Sequence, residues 1–449
     1  MKITRREFLG SAAAAAGAAL AGVGGCADTT QPAADSAHQY QMETDIEYGR
    51  KVVPSQVMPC PKVVLPTDSL PPPTGPKKRL ALLGTLWAKY THADNIGTPF
   101  IEGYSIIGRN HQPHAEVVSI FMDQVHAMDI GVGMAARNRI PRYKTIAEAL
   151  TAGTGKLAVD GVLLVCENGA YPYNEKDQKL WPRRQWFGQV ADVFRSAGRC
   201  VPVYNDKFFA STWPDSEWMY RQSREMGFPM AAGSSVPVAW RLPPLAFERG
   251  VELNEALAVG YSHLESYGYH AMELLQSFVE KRKGGVAGIL SVETLEGDAA
   301  WQAAKDGRWR EDLLRAALAR TPLEVAALPA SLRETDPKAI VILIEYSDGL
   351  RASVYMSRGL VNQFAFAAAV KGLRRPVATW ACLNNPQRDH FKFLCNHIEV
   401  MMRTGTPSIP PERTYLVTGG IIAAVDSHFC RKRINTPHLA RLTYEPSIW

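Results

Sequence analysis

Lys77-Lys78-Arg79-Leu80-Ala81-Leu82-Leu83-Gly84 marks the point where a folded body begins. A short apolar run entered from basic residues and closed by glycine reads as the first strand of a parallel sheet, buried on both faces. Working outward, further apolar runs follow at βαβ intervals over 117–123, 159–165 and 200–204, with helical patterns between them at 134–138, 146–150 and 186–196. Strands alternating with amphipathic helices predict a doubly wound α/β domain over 78–212, with its ligand beyond the carboxyl ends of the strands.

Beyond Trp213 the texture changes. Residues 255–283 read as largely helical, 339–345 as a β run, Tyr346-Ser347-Asp348-Gly349 as a turn before a strand over 350–356, and 413–427 as a late helix. Two strands joined through Asp-Gly pair antiparallel. Residues 213–449 are therefore expected to form an α+β domain with an open, largely antiparallel sheet, serving substrate binding and homo-oligomerisation.

Upstream, residues 27–77 are rich in Pro, Thr, Ser and Asp and end in Pro71-Pro72-Pro73-Thr74-Gly75-Pro76, the composition of a tether or extended arm. Residues 1–26 read as a twin-arginine export signal: Thr4-Arg5-Arg6-Glu7-Phe8-Leu9-Gly10, then a weakly apolar Ala/Gly run. Val23-Gly24-Gly25-Cys26 resembles a lipobox, which would make Cys26 a lipid anchor; an ordinary cleavage site is the alternative. The expected location is periplasmic, or membrane-anchored and facing outward. Folded-state export also favours a cofactor installed in the cytoplasm.

The formal charge is +6, and removing Lys2, Arg5, Arg6 and Glu7 takes away +2, a dispersed excess that does not argue for nucleic acid. Seven cysteines show no CxxC pair. The histidines of 111–114 and 390–397 lack a complete ligand set at metal-binding spacing, so no metal is expected.

Four segments, in order, resemble the Gfo/Idh/MocA family, which includes glucose-fructose oxidoreductase and inositol dehydrogenase. They are Ile140-Pro141-Arg142-Tyr143 with the helix to Leu150, Val159-Asp160-Gly161-Val162, Tyr204-Asn205-Asp206-Lys207, and Ser266-Tyr267-Gly268-Tyr269-His270. The closing segment from 407 to Thr436-Pro437 resembles the family's last helix and strand. Thr91-His92-Ala93-Asp94, Glu102-Gly103-Tyr104 and Leu180-Trp181-Pro182-Arg183-Arg184 resemble an exported branch of that family.

The resemblance implies a Rossmann-type fold, NAD or NADP, and catalytic roles for Lys207 and His270; export adds the expectation of tight binding, because NAD is not replenished outside the cytoplasm. Lysine would polarise a substrate hydroxyl and histidine would take its proton. Ser266 stands where the family has the carboxylate that orients this histidine. Phe208 follows Lys207 where the family has proline.

Candidate cofactor contacts are Gly84, Thr85, Asp123, Cys166, Glu167 and Asn168. Of the glycine-rich phosphate loop only Gly84 remains, so either Thr85 or Lys89 assists the pyrophosphate or the dinucleotide has been lost. Gly131-Val132-Gly133-Met134-Ala135-Ala136 follows the second strand's end and reads as a helix with small packing residues. Asp123 ends the second strand, where a carboxylate accepts ribose hydroxyls and repels a 2′-phosphate, favouring NAD; a solvated strand-end carboxylate is the alternative. Tyr171, Glu265 and Tyr267 are candidates for substrate binding.

The leading reading is an exported oxidoreductase moving hydride between NAD(P) and a sugar or polyol hydroxyl. The alternatives are a glycosidase or lyase using transient oxidation, and a carbohydrate-binding protein without the cofactor.

Overall fold

The computed structural model describes residues 57–58, 65–383 and 387–447. The expected export signal over 1–26, the candidate lipid anchor at Cys26 and most of the expected 27–77 arm lie outside the described residues. The end of that arm is docked: Leu65 is buried, and the Thr67 backbone and hydroxyl exchange hydrogen bonds with Asn396 at 3.0 and 2.9 Å.

Six strands build the first sheet: β1 (Lys78–Leu86), β2 (Ala115–Gln124), β3 (Arg142–Tyr143), β4 (Gly161–Val165), β5 (Val203–Asp206) and β6 (Met230–Gly233). Their order is 3-2-1-4-5-6 and every pairing is parallel. This is the doubly wound dinucleotide-fold order, so all strand ends that could carry chemistry meet along one edge. Leu80, Ala81, Leu82 and Leu83 are fully buried because β1 is central and covered on both faces, which is why its sequence does not alternate.

The helices of this half are α1 (His92–Gly97), α2 (Gly131–Arg137), α3 (Ile146–Thr151), α4 (Arg183–Ala197) and α5 (Trp213–Glu225). Thr145 and Glu148 form a reciprocal capping box that starts α3. Gly198, in the left-handed region at φ 64, stops α4. Helices α3, α4 and α5 pack on one sheet face through Ile146, Leu150, Phe187, Val190, Phe194 and Met219.

The second sheet contains β7 (Trp240–Leu242), β8 (Leu253–Tyr261), β9 (Ile289–Glu296), β10 (Ile340–Tyr346), β11 (Arg351–Ser357), β12 (Phe364–Val370), β13 (Val377–Cys382) and β14 (Ile434–Asn435). Its order is 7-13-12-8-11-10-9-14, antiparallel except for β8 with β11. The expected hairpin is present, with Gly349 at φ 88 in the β10–β11 turn.

Helices α6 (Leu264–Val279) and α10 (Pro411–Cys430) cover one face of this sheet, while α7 (Asp298–Lys305) and α8 (Glu311–Leu318) cover the other. Helix α9 (Asp389–Thr404) instead returns to the first domain, closing its second face with Phe391, Leu394, Ile398 and Met401.

Three expectations change. The first sheet continues through α5 and β6, past the boundary expected after residue 212. Residues 255–261, read as helical, lie in strand β8, because a strand buried on both faces shows no period-two signal. The region 213–449 is not one separate domain, since α9 completes the first. Beneath α7 and α8 the second sheet buries Trp301, Trp309, Leu313 and Leu314.

Candidate active site

Parallel strands deliver Glu167 just beyond β4, Asp206 and Lys207 at the end of β5, and Ser234 just beyond β6 to a single edge. Helix α6 lays Glu265, Tyr267 and His270 over that edge from the second domain. At its centre, Lys207 Nζ donates to Glu167 Oε1 at 2.8 Å and Arg183 donates to Glu167 Oε2 at 3.0 Å. All three side chains are buried. Burial pushes the Glu167 carboxyl up, but Lys207, His92 and Arg183 overcome this and hold it below its ordinary value. The cluster therefore carries two cations against one fixed anion, a setting that favours oxygen ligands.

Lys207 sits at φ 64, a strained conformation for a non-glycine residue, and is held there by its N–H donating to the Gly233 carbonyl at 3.2 Å. The ring of Phe208, standing where the family has proline, lies 4.3 Å from the Arg183 guanidinium, which also stacks at 4.6 Å on Trp181. The substituted residue thus helps to hold the second cation in place.

His270 Nδ1 lies 2.6 Å from the Ser234 hydroxyl, which itself accepts the Val236 N–H at 3.0 Å. Burial, with help from Lys207, His92 and His390, pushes the His270 imidazole well below its ordinary value. Ser266 turns away to the helix cap, where its hydroxyl is 3.3 Å from His263 Nδ1. Among the described residues no carboxylate hydrogen-bonds His270, and burial disfavours its protonated form.

Glu265 is buried; Gln178 Nε2 donates to its Oε1 at 2.8 Å, and its Oε2 has no partner among the described residues. Burial raises it to about 7. Tyr267 stacks on Phe364 and lies in the field of Glu167 and Arg388. Glu167, Lys207, Glu265, Tyr267 and His270 thus share one electrostatic neighbourhood.

The remaining cofactor candidates behave differently. Gly84 lies inside β1, where an added Cβ would come within 2.4 Å of the Met122 side chain; its role is packing. Thr85 is fully buried and its hydroxyl donates to the Glu167 carbonyl at 2.6 Å. Cys166 is buried in the sheet core, with its thiol pushed well up by that burial. All three positions are buried in the sheet. Asn168 accepts the His92 N–H at 3.1 Å, and Tyr171 donates its hydroxyl to Asp123 at 2.5 Å. Gln124 reinforces that crossing with two hydrogen bonds to Ala170. Gly131 packs face-on against Trp87, as expected for a helix with small packing residues.

Sequence reasoning assigned no role to His92, Asp206, Arg183 or Ser234. Yet His92 Nδ1 lies 2.7 Å from Asp206 Oδ2 across 114 residues of chain. The signal for His92 and Arg183 was present in the two motifs of the exported branch, but no spacing rule connects either to its partner.

An overlay on GenD2 from gentamicin A biosynthesis, solved in complex with NAD, gives a TM-score of 0.50 at 14% identity, covering 82% of this chain and 99% of GenD2. The chain has the Gfo/Idh/MocA fold. Similarity also extends to myo-inositol 2-dehydrogenase from Lactobacillus plantarum, at TM-score 0.48 and 11% identity over 80% of this chain and 99% of that one. An oxidoreductase from Agrobacterium radiobacter, in complex with NAD+, L-tartaric acid and magnesium, aligns at TM-score 0.48 and 13% identity over 80% and 98% of the two chains. No protein-family model and no curated protein matches the sequence.

Within the Gfo/Idh/MocA fold, the donor set fits the ribose and nicotinamide ends of a dinucleotide. Asp123 already holds a hydroxyl at the tip of β2, the chemistry a ribose diol offers, and Lys207 and Glu167 line the far end. The phosphate end has no glycine cradle. Lys89, in the turn after β1, is mostly exposed and lies 3.7 Å from Asp94.

Proposed function

We propose that the protein is an exported oxidoreductase acting on a hydroxyl group of a sugar or polyol, with a nicotinamide dinucleotide in the crevice, NAD in preference to NADP. The observation that carries this reading is Lys207 on its buried Glu167, facing the imidazoles at the strand edge of a Gfo/Idh/MocA fold. Asp123, Glu167 and Lys207 are the residues that would hold the cofactor and the reacting oxygen, and the cofactor supplies the hydride acceptor.

The chain's own residues do the rest. Lys207 donates to the substrate oxygen and stabilises negative charge developing there; Arg183 helps to keep Glu167 ionised, so that Lys207 remains positioned. Glu265, with one oxygen unpaired and a value of about 7, offers either a donor or an acceptor to a neighbouring hydroxyl. Tyr267 and Phe364 supply an aromatic wall suited to the C–H face of a sugar ring.

Export through the twin-arginine route supports a cofactor loaded before transport and retained afterwards. The test is a panel of aldoses and inositols given to the purified full chain with NAD or NADP. Oxidation of at least one of them, abolished by Lys207→Met, is expected. A folded protein that turns over none of the panel with either nucleotide contradicts the reading.

A further inference from the structure

His270, to which the resemblance assigns proton transfer, is the less suited of the two imidazoles in the crevice. It is buried, its Nδ1 meets a neutral hydroxyl, and a proton on it would face Lys207. His92 differs in each respect. It enters from the loop after β1, its Nδ1 is 2.7 Å from the Asp206 carboxylate, and its side chain retains 16% exposure while that of Asp206 retains 2%.

A carboxylate is an acceptor only, so Nδ1 carries the hydrogen, and Nε2 presents its lone pair whenever the ring is neutral. Nε2 has no partner among the described residues. Phe391 meets the ring edge-on at 4.9 Å and Asn168 holds the backbone N–H, fixing the imidazole from two sides. The groups facing it are Asp206 from β5, Glu167 beyond β4, His270 from α6 and His390 from α9.

We propose that His92, oriented by Asp206, is the group that takes the proton from the substrate hydroxyl in this crevice. In this step the hydroxyl O–H bond breaks, its electron pair stays on oxygen as an alkoxide stabilised by Lys207, and the proton forms an Nε2–H bond. The resulting imidazolium is neutralised by Asp206 through the Nδ1–H already in place. His270 is then a neutral wall residue, held by Ser234. The proposal rests on the reading above for the identity of the substrate, and on the crevice geometry for the identity of the base.

The test uses diethyl pyrocarbonate, which acylates unprotonated imidazole nitrogen, on the full chain across a pH series, with sites located by peptide mass mapping. His92 is expected to react while buried His270 stays unlabelled. Asp206→Asn, which removes the carboxylate that holds Nδ1, should alter the His92 labelling rate severalfold, and Asp206→Glu should restore it. An inert His92, or a labelling rate indifferent to Asp206→Asn, overturns the proposal.

In turnover, His92→Gln should lower kcat about 100-fold with little change in KM and erase the acid limb of the pH profile. Retention of kcat and of that limb overturns the assignment. Labelling requires neither nucleotide nor substrate, so a protein that turns over nothing would defeat the oxidoreductase reading while the labelling still decides the role of His92.

Discussion

Replacing Glu265 by glutamine should make the protein more resistant to alkaline loss of stability. In the folded protein this carboxyl titrates at about 7, against an ordinary value of 4.5, because burial disfavours its charged form. Between those two values the native state keeps the proton and the unfolded chain releases it. The associated stabilisation is complete below about pH 4.5 and disappears as pH rises through about 7. At about 1.4 kcal/mol for each pH unit across that gap, the loss is about 3 kcal/mol.

Glu273, fully buried and also raised to about 7 by burial, contributes a loss of the same sign, so one substitution removes roughly half of the combined slope. The glutamine side chain keeps the shape of the glutamate it replaces and cannot ionise. Melting temperatures followed by tryptophan fluorescence should fall more steeply from pH 5 to pH 8 in the wild type than in Glu265→Gln. The difference should be roughly 6–12 °C, from about 2–4 °C per kcal/mol for a domain of 150–250 residues. Parallel slopes would show that Glu265 is ionised in the native crevice and would refute its burial as the controlling effect.

Tyr171→Phe should tighten NAD binding about tenfold, because the dinucleotide no longer displaces a hydroxyl from Asp123, whereas Asp123→Ala should weaken NAD and relax discrimination against NADP; calorimetric titration of both variants checks this. Arg413→Met should cost about 3–5 kcal/mol in denaturant unfolding, since it leaves Glu280 buried without the guanidinium that now grips both its oxygens. Iodoacetamide under native conditions should modify exposed Cys430 and spare Cys166 and Cys395, whose thiols burial pushes up. Replacing Arg5 and Arg6 together by lysine should retain the protein in the cytoplasm, as read by cell fractionation.

The first domain was legible because a central parallel strand leaves a dense signature: Leu80 to Leu83 cannot alternate, and Gly198 ends α4 where a left-handed residue is required. Strand β8 was not legible, since an apolar run buried on both faces reads equally as helix. Lys207 and His270 were singled out by the family resemblance and Glu167 by its place after the third strand, and the structure sets all three in one neighbourhood. The partners that set their chemistry were not singled out. Arg183 reaches Glu167 from the start of α4, Ser234 reaches His270 from beyond β6, and Asp206 reaches His92 across the sheet edge. Such pairs are fixed by strand order, which a single sequence does not print. Gly84 and Thr85 show the converse: motif position suggested cofactor contacts, and the length of β1 turned both into packing residues.

Occupancy of this crevice by a nicotinamide dinucleotide underlies the proposed function. Its most direct test is acid release and mass spectrometry of the ligands carried by full-length protein folded in the cytoplasm. About one NAD per chain is predicted. Folded protein that carries no dinucleotide, and binds neither NAD nor NADP at millimolar concentration, would contradict it.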